Sequence, residues 1–488
     1  MISDKHVRGI AVIGVAALAG LSTPAWAADA ALERAVAASR ANDVKSIRYT
    51  ADGIGYTFGQ AYKPGQPWPK IRINSFVRTI NYDTGAMREE IVLTRAEALG
   101  GGGYPHTASQ RNDQYVSGGY AWNQTAAGPA AGPRFVVARV HQLWISPYGV
   151  LKAALRNNAS VGTQTAGGTA LTTLRFTEPG RFRAVAYVDG AGRVVRVESR
   201  VPDPVLGETD VVTTYADYRD FRGFAFPTRI AQSAGGAPVL DLTVRDVEPN
   251  APADIALPDA VRNAAERVTV EKVADGVWFL AGGSHNSVAI EMKDHMILVE
   301  TPLNDGRSVP VIAEVRKLAP GKPIRYVINS HTHFDHSGGL RTAVAEGATI
   351  VTQAQNKPYF ERALATPNTI APDLPAKSGK KAKFVTVGDK MVMRDGTHTV
   401  ELYHVGDSNH SDTFLMVYLP KERILIEADS FTPGPPNAPP PSQLNPNNTN
   451  LVDNLKTRGL VVDRILPLHG RVVPVGDLYA AVGEKAPN

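Results

Sequence analysis

Residues 331–336 read His-Thr-His-Phe-Asp-His. Three imidazoles and a carboxylate within six positions suit metal binding or proton transfer. Packing alone gives no reason to crowd so many titratable side chains. His331 and His333 stand two apart, so both reach one ion only from a loop or a bent strand. Asp335 and His336 lie just beyond, able to serve a second ion. Three further candidates follow: His410 in Asn409-His410-Ser411-Asp412, Asp429 in Glu427-Ala428-Asp429-Ser430, and His469 in Leu468-His469-Gly470. Each falls near the end of an apolar strand or in the loop beside it, where open α/β sheets place their ligands.

The elements that must position these residues can be read from patterning. Pro323–Asn329 reads as a buried strand and Ser337-Gly338-Gly339-Leu340 opens a helix, so the histidine run lies on a strand-to-helix loop. Before it, strands are expected at Val268–Val273, Val277–Leu280, Ser287–Met292 and His295–Val299, then a helix at about Ser308–Leu318. After it, strand and helix alternate: Ala348–Thr352, Lys357–Ala365, Phe384–Val387, Val400–His404, Thr413–Leu419 and Arg423–Glu427. This is an α/β pattern whose sheets need helical cover.

The first half differs. Ala28–Ala41 is helical in pattern, and residues 135–157 are helical with a break at Pro147. Half-buried strands are expected at Ile71–Ile80, Glu90–Thr94 and Val239–Val247, and a hairpin joins Ala184–Val188 to Arg193–Val197. A curved antiparallel sheet with a helix against it follows. The strand pattern loosely resembles the periplasmic lipoprotein-carrier type of domain. The expected division is residues 1–27 as a signal peptide, 28–250 as a mainly-β accessory domain, and 265–488 as the catalytic domain, an α+β two-domain chain.

From about Val268 to His469 the chain resembles the metallo-β-lactamase-fold hydrolases. That family carries an H-x-H-x-D-H run, a later histidine, a bridging aspartate and a final histidine, and all seven positions are filled here. His410 stands ten residues before Pro420 and Asp429 nine after it, matching the family's strand, turn and strand. The resemblance implies an αββα sandwich. It implies two Zn2+ ions, with His331, His333 and His410 on the first and Asp335, His336 and His469 on the second. Asp429 would bridge them. Three protein ligands per ion leave room for a shared water, whose hydroxide would attack an ester, lactone, thioester or amide. Asp335 would be the catalytic residue that orients it. An aspartate at 429 is typical of the wider family rather than of dedicated β-lactamases, and His333 stands where di-iron oxygen reductases carry glutamate. The family's usual aspartate before the helix is Glu300 here, in Val299-Glu300-Thr301-Pro302.

Three other readings stand beside the hydrolase: a β-lactamase, a mononuclear iron persulfide dioxygenase, and a non-catalytic periplasmic binding protein. A small molecule is the expected partner. The net charge of +5 over 488 residues, with no Lys/Arg block longer than pairs such as Lys380-Lys381, speaks against nucleic acid. With 43% apolar and 20% charged residues, a sizeable core is available. The absence of cysteine excludes disulfides, thiolate ligands, a cysteine nucleophile and a lipidated N-terminal cysteine.

Lys5 and Arg8, the apolar run Ile10–Leu21 and Ala25-Trp26-Ala27 have the form of a secretory signal, placing the protein in the periplasm or outside the cell. The run falls short of the ~20 residues a span needs, so no stable membrane span is expected after cleavage. His285, His295, His398 and His404 match no ligand position, though His404, six residues before His410, is a candidate for lining the pocket. His106 and His141 read as surface or packed histidines. The proline- and asparagine-rich stretch Phe431–Asn450 is either an extended surface loop or a wall or lid of the site.

Overall fold

The computed structural model describes residues 25–102, 108–436 and 442–487. The expected signal's charged start and apolar run, His106, and Pro439–Pro441 lie outside the described residues.

The N-terminal half is one antiparallel sheet of thirteen strands. The chain meanders outward from Ser46–Tyr56 to Gly128–Ala131, crosses over through two helices, and restarts at the other edge with Ser160–Ala166. It then meanders back until Ala237–Pro249 pairs with Ser46–Tyr56 and joins the two runs. The helices Val136–Trp144 and Pro147–Arg156 are separated where expected. Ser146 is extended (ψ 156°), as a residue before proline prefers, and Pro147 starts the next helix, where its missing N–H costs nothing. Leu143, Val150 and Leu151 pack from these helices onto Ile47, Phe182 and Phe226 of the sheet.

The C-terminal half contains a seven-stranded and a six-stranded sheet. Alternation along the strands splits the apolar side chains between two cores. Val288, Ile290, Ile297 and Val299 face Leu402, Val417 and Ile426 of the other sheet. Ala289, Met296 and Leu298 face the helices Asp305–Leu318, Leu340–Glu346 and Lys357–Ala365 through Val311, Val315, Leu340 and Phe360. The helix Pro446–Arg458 joins the inter-sheet cluster through Leu451, Val452 and Leu455.

Two parallel pairings fix where the chemistry goes. Met296–Val299 runs parallel to Ile324–Ile328, so the residues that follow, Glu300 and Asn329-Ser330-His331, emerge together. Ile424–Glu427 runs parallel to Arg464–Pro467, which brings Asp429 and His469 to one edge. No helix among the described residues is long and apolar enough to cross a membrane.

Candidate metal centre

His331 and His333 leave the end of Ile324–Ile328 in extended chain, with His333 at ψ 142°. The single helical turn Phe334–Ser337 then swings Asp335 and His336 back beside them. Gly338 permits the turn: a Cβ there would lie 1.8 Å from the Leu303 carbonyl oxygen. His410 comes from the loop before Leu415–Leu419, where Ser408 Oγ accepts its backbone N–H at 3.2 Å. Asp429 is presented by a bend that Glu427 ties, its buried carboxylate accepting from Ser430 N at 3.1 Å and Phe431 N at 3.0 Å.

All seven candidate residues converge. Asp429 sits among the imidazoles: its Oδ2 lies 2.8 Å from His410 Nε2, 3.1 Å from His336 Nε2 and 3.4 Å from His331 Nε2. Its Oδ1 lies 2.8 Å from His469 Nε2. The ligand atoms fall into two groups able to hold an ion, His331, His333, His410 and Asp429 on one side, and His285, Asp335, His336 and His469 on the other.

His285 corrects its bland expectation. Its Nε2 is 3.1 Å from Asp335 Oδ2, and its ring centroid is 4.1 Å from that of His469. Arg307 is almost fully buried and holds the loop carrying His285 by donating to the carbonyls of Ala281 (3.0 Å) and His285 (3.2 Å). Three residues, Gly282-Gly283-Ser284, separate His285 from the end of the apolar strand Val277–Ala281, and no spacing or periodicity singles it out in the sequence. His404 corrects the opposite way. Its Nε2 pairs with the Asp412 carbonyl at 2.7 Å, and it does not line the cavity. His141 is packed, edge-on to Phe182.

Each histidine at the centre except His410 has one ring nitrogen near a positioning partner. His333 Nε2 lies 3.1 Å from the Ala61 carbonyl, which leaves its Nδ1 buried and unpartnered. His331 Nδ1 meets Ser330 Oγ at 2.9 Å, and His469 Nδ1 the Ser284 carbonyl at 3.2 Å. Such outer partners orient imidazoles that bind metal. His336 Nδ1 stands 3.3 Å from Glu300 Oε2, while Glu300 Oε1 accepts from Ser330 N at 2.7 Å. Glu300 adopts a left-handed φ of 68°, a strained conformation held by those contacts.

Electrostatics matches the geometry. Burial pushes His331 down to about 3 and His285 down to about 4, so both are neutral and carry a lone pair. Burial opposes ionisation of Asp429, yet His336, His410 and His469 outweigh it and hold the carboxyl well below its usual range. Burial likewise opposes ionisation of Asp335, and His336 and His285 outweigh it. His336 is driven upward despite its burial because Asp429, Asp335 and Glu300 surround it. Imidazoles gathered around ionised carboxylates form a donor set that fits divalent metal ions, and a metal at His336 would displace its proton.

The N-terminal half reaches this centre. Gln60 Nε2 donates to Asp335 Oδ1 at 2.8 Å, and Phe334 N donates to the Gly59 carbonyl at 3.1 Å. Phe334 packs edge-on against Phe58 and Trp68, with centroids at 5.3 and 5.6 Å. Asp412 N donates to the Tyr62 carbonyl at 2.9 Å, and Gly100 N to that of Asn409 at 2.9 Å. A cavity of about 1140 Å³ opens on the cluster and is lined by both halves. Thr432, Asn445 and Asn447 line it as well, so both described ends of the proline-rich stretch form wall.

Residues 280–469 match the sequence family described as the metallo-beta-lactamase superfamily. The 2,4-dinitroanisole O-demethylase subunit alpha of Nocardioides sp. (strain JS1661) is 26% identical over 171 residues, covering 34% of this chain and 48% of that protein. The chain thus spans about half the length of this curated relative. A metallo-beta-lactamase from Pontibacter korlensis shares 17% identity, covers 44% of this chain and 98% of its own, and superposes with a TM-score of 0.34. One from Hirschia baltica shares 20%, covers 45% and 99%, and has the same TM-score of 0.34.

Proposed function

From the premise that residues 280–469 form a metallo-β-lactamase superfamily domain, we propose that this chain is an exported hydrolase carrying two zinc ions. We read the helix-flanked pair of C-terminal sheets as the family's αββα sandwich. The observation that carries the functional reading is the convergence of the seven residues around Asp429, in two groups able to hold an ion. His331, His333 and His410 would hold one zinc and Asp335, His336 and His469 the other, with Asp429 between them. Such a pair supplies Lewis acidity, lowering the pKa of a water and polarising a carbonyl.

The protein's own groups do the rest. Asp335 is fixed by Gln60 and His285, and it would accept a hydrogen bond from the attacking water and hold its proton. His285, added to the second group, would keep Asp335 ionised and aimed. The cavity walls would exclude bulk water around an ester, lactone, thioester or amide. The signal-like N-terminus supports a periplasmic or secreted location.

Metal analysis and a hydrolysis panel on purified, metal-loaded protein test the reading. About two zinc ions per chain are expected, with turnover of at least one ester, lactone, thioester or amide. One iron ion would favour a persulfide dioxygenase, and no metal a binding protein. Turnover of β-lactams alone would make it a β-lactamase. An aryl methyl ether belongs on the panel because of the demethylase relative. Asp335→Asn should lose turnover and part of the metal; full retention of both would remove Asp335 from its role.

A further inference from the structure

The cavity extends well past the metal cluster, and its far side belongs to the N-terminal half. Val201 pairs with Thr209, and Val211 with Ala234, across neighbouring strands, so these side chains share one face of the sheet. Opposite them, Val137, Ala138 and His141 project from one side of the helix Val136–Trp144 into the lining. The result is an apolar compartment continuous with the polar cluster. Its size suits a ligand far larger than an acetyl group.

Beside these apolar side chains the lining carries two arginines, Arg134 and Arg341. Arg134, just ahead of the helix, lines the cavity with its guanidinium 4.5 Å from the Phe135 ring centroid. Among the described residues no carboxylate forms an ion pair with it, and Asp335 acts on it only through the field. Arg341, the other arginine of the lining, is by contrast paired to Asp373 at 2.7 Å. An unpaired guanidinium beside apolar walls is a ready partner for a carboxylate, which it can bind through two parallel hydrogen bonds.

We propose that this compartment is the substrate's binding arm, and that it selects molecules joining an apolar chain or ring to a carboxylate. The carboxylate pairs with Arg134, and the apolar body lies between Val137 and Ala138 on one side and Val201, Val211 and Ala234 on the other. The bond to be cut then reaches the His/Asp cluster. Only that last step rests on the hydrolase reading; the binding arm stands without it.

Calorimetric titration of the metal-free full chain with octanoate, 1-octanol and acetate tests the arm apart from any turnover. Octanoate should bind at least tenfold more tightly than either of the others. Arg134→Gln should bring octanoate down to the level of 1-octanol. Ala138→Trp, which fills the arm from an accessible position, should weaken both long ligands tenfold or more. Thermal melts of both variants would establish that they fold. Equal binding of acetate and octanoate, or unchanged octanoate binding in folded Arg134→Gln, overturns the proposal. A silent hydrolysis panel beside the expected titrations would sink the hydrolase reading and leave the arm standing.

Discussion

Gln60 and Asp335 are joined by a 2.8 Å hydrogen bond across 275 positions of sequence. The amide holds one carboxylate oxygen while His285 approaches the other. Gln60→Ala should therefore weaken metal binding by about 10–100-fold, the usual effect of losing an outer partner. Competition with a chelator of known affinity measures this. Unaltered affinity would mean the bridge only joins the halves.

The segment carrying Gln60 has no room to adjust. Gly59 has φ 81°, and a Cβ there would lie 2.4 Å from Phe334 Cγ. Gly59→Ala must shift Phe334, whose neighbour is Asp335. A cost of roughly 1–3 kcal/mol, the scale of overpacking, should appear in chemical denaturation. Turnover should fall at least tenfold. A variant with native stability and rate would show that the contact yields freely.

Glu300 answers for two groups at once, Ser330 N and His336. Glu300→Ala leaves the buried Ser330 N–H without its acceptor, at about 1–3 kcal/mol. Glu300→Gln keeps an acceptor and should recover most of that stability. Equal losses in the two variants, read from denaturant midpoints, would place the effect in the strained backbone and not in the hydrogen bond.

His141 supplies an acid-sensitivity test remote from the metal ligands. Burial pushes it down to about 3, and its Nε2 has no partner. The unfolded chain binds that proton near pH 6.5, the folded chain only near 3. Stability is therefore full above about 6.5 and lost as pH falls toward 3, on the order of 1 kcal/mol per pH unit. His141→Leu should flatten this part of the stability profile and be near neutral at pH 7. A parallel decline in variant and parent would remove His141 as the cause.

What the sequence made legible was local. The run at 331–336, its strand and its helical turn are adjacent in chain, and Asp429 and His469 follow apolar strands whose ends identify them. Glu300 likewise announced itself by following Met296–Val299. Gln60 and His285 did not, because their partners lie 275 and 50 positions away and no periodicity marks either. The helix Pro446–Arg458 was hidden by composition. Its asparagines read as loop, although Asn445 caps it through Asn447 N and its Leu451, Val452 and Leu455 are buried. Polar, exposed edge strands such as Ser160–Ala166 show no alternation, so pairing with Thr169–Glu178 alone defines them.

The backbone bonds Asp412 N to Tyr62 O, Gly100 N to Asn409 O and Phe334 N to Gly59 O bracket the histidine loops from outside their own half. The C-terminal portion consequently takes part of its frame from the other half of the chain. Cut free between residues 250 and 264, it would bare Phe334 and leave the loops around His333 and His410 to find new tethers. Gene fusions and truncations that respect only the family's boundaries would transplant the ligands without the frame that holds them.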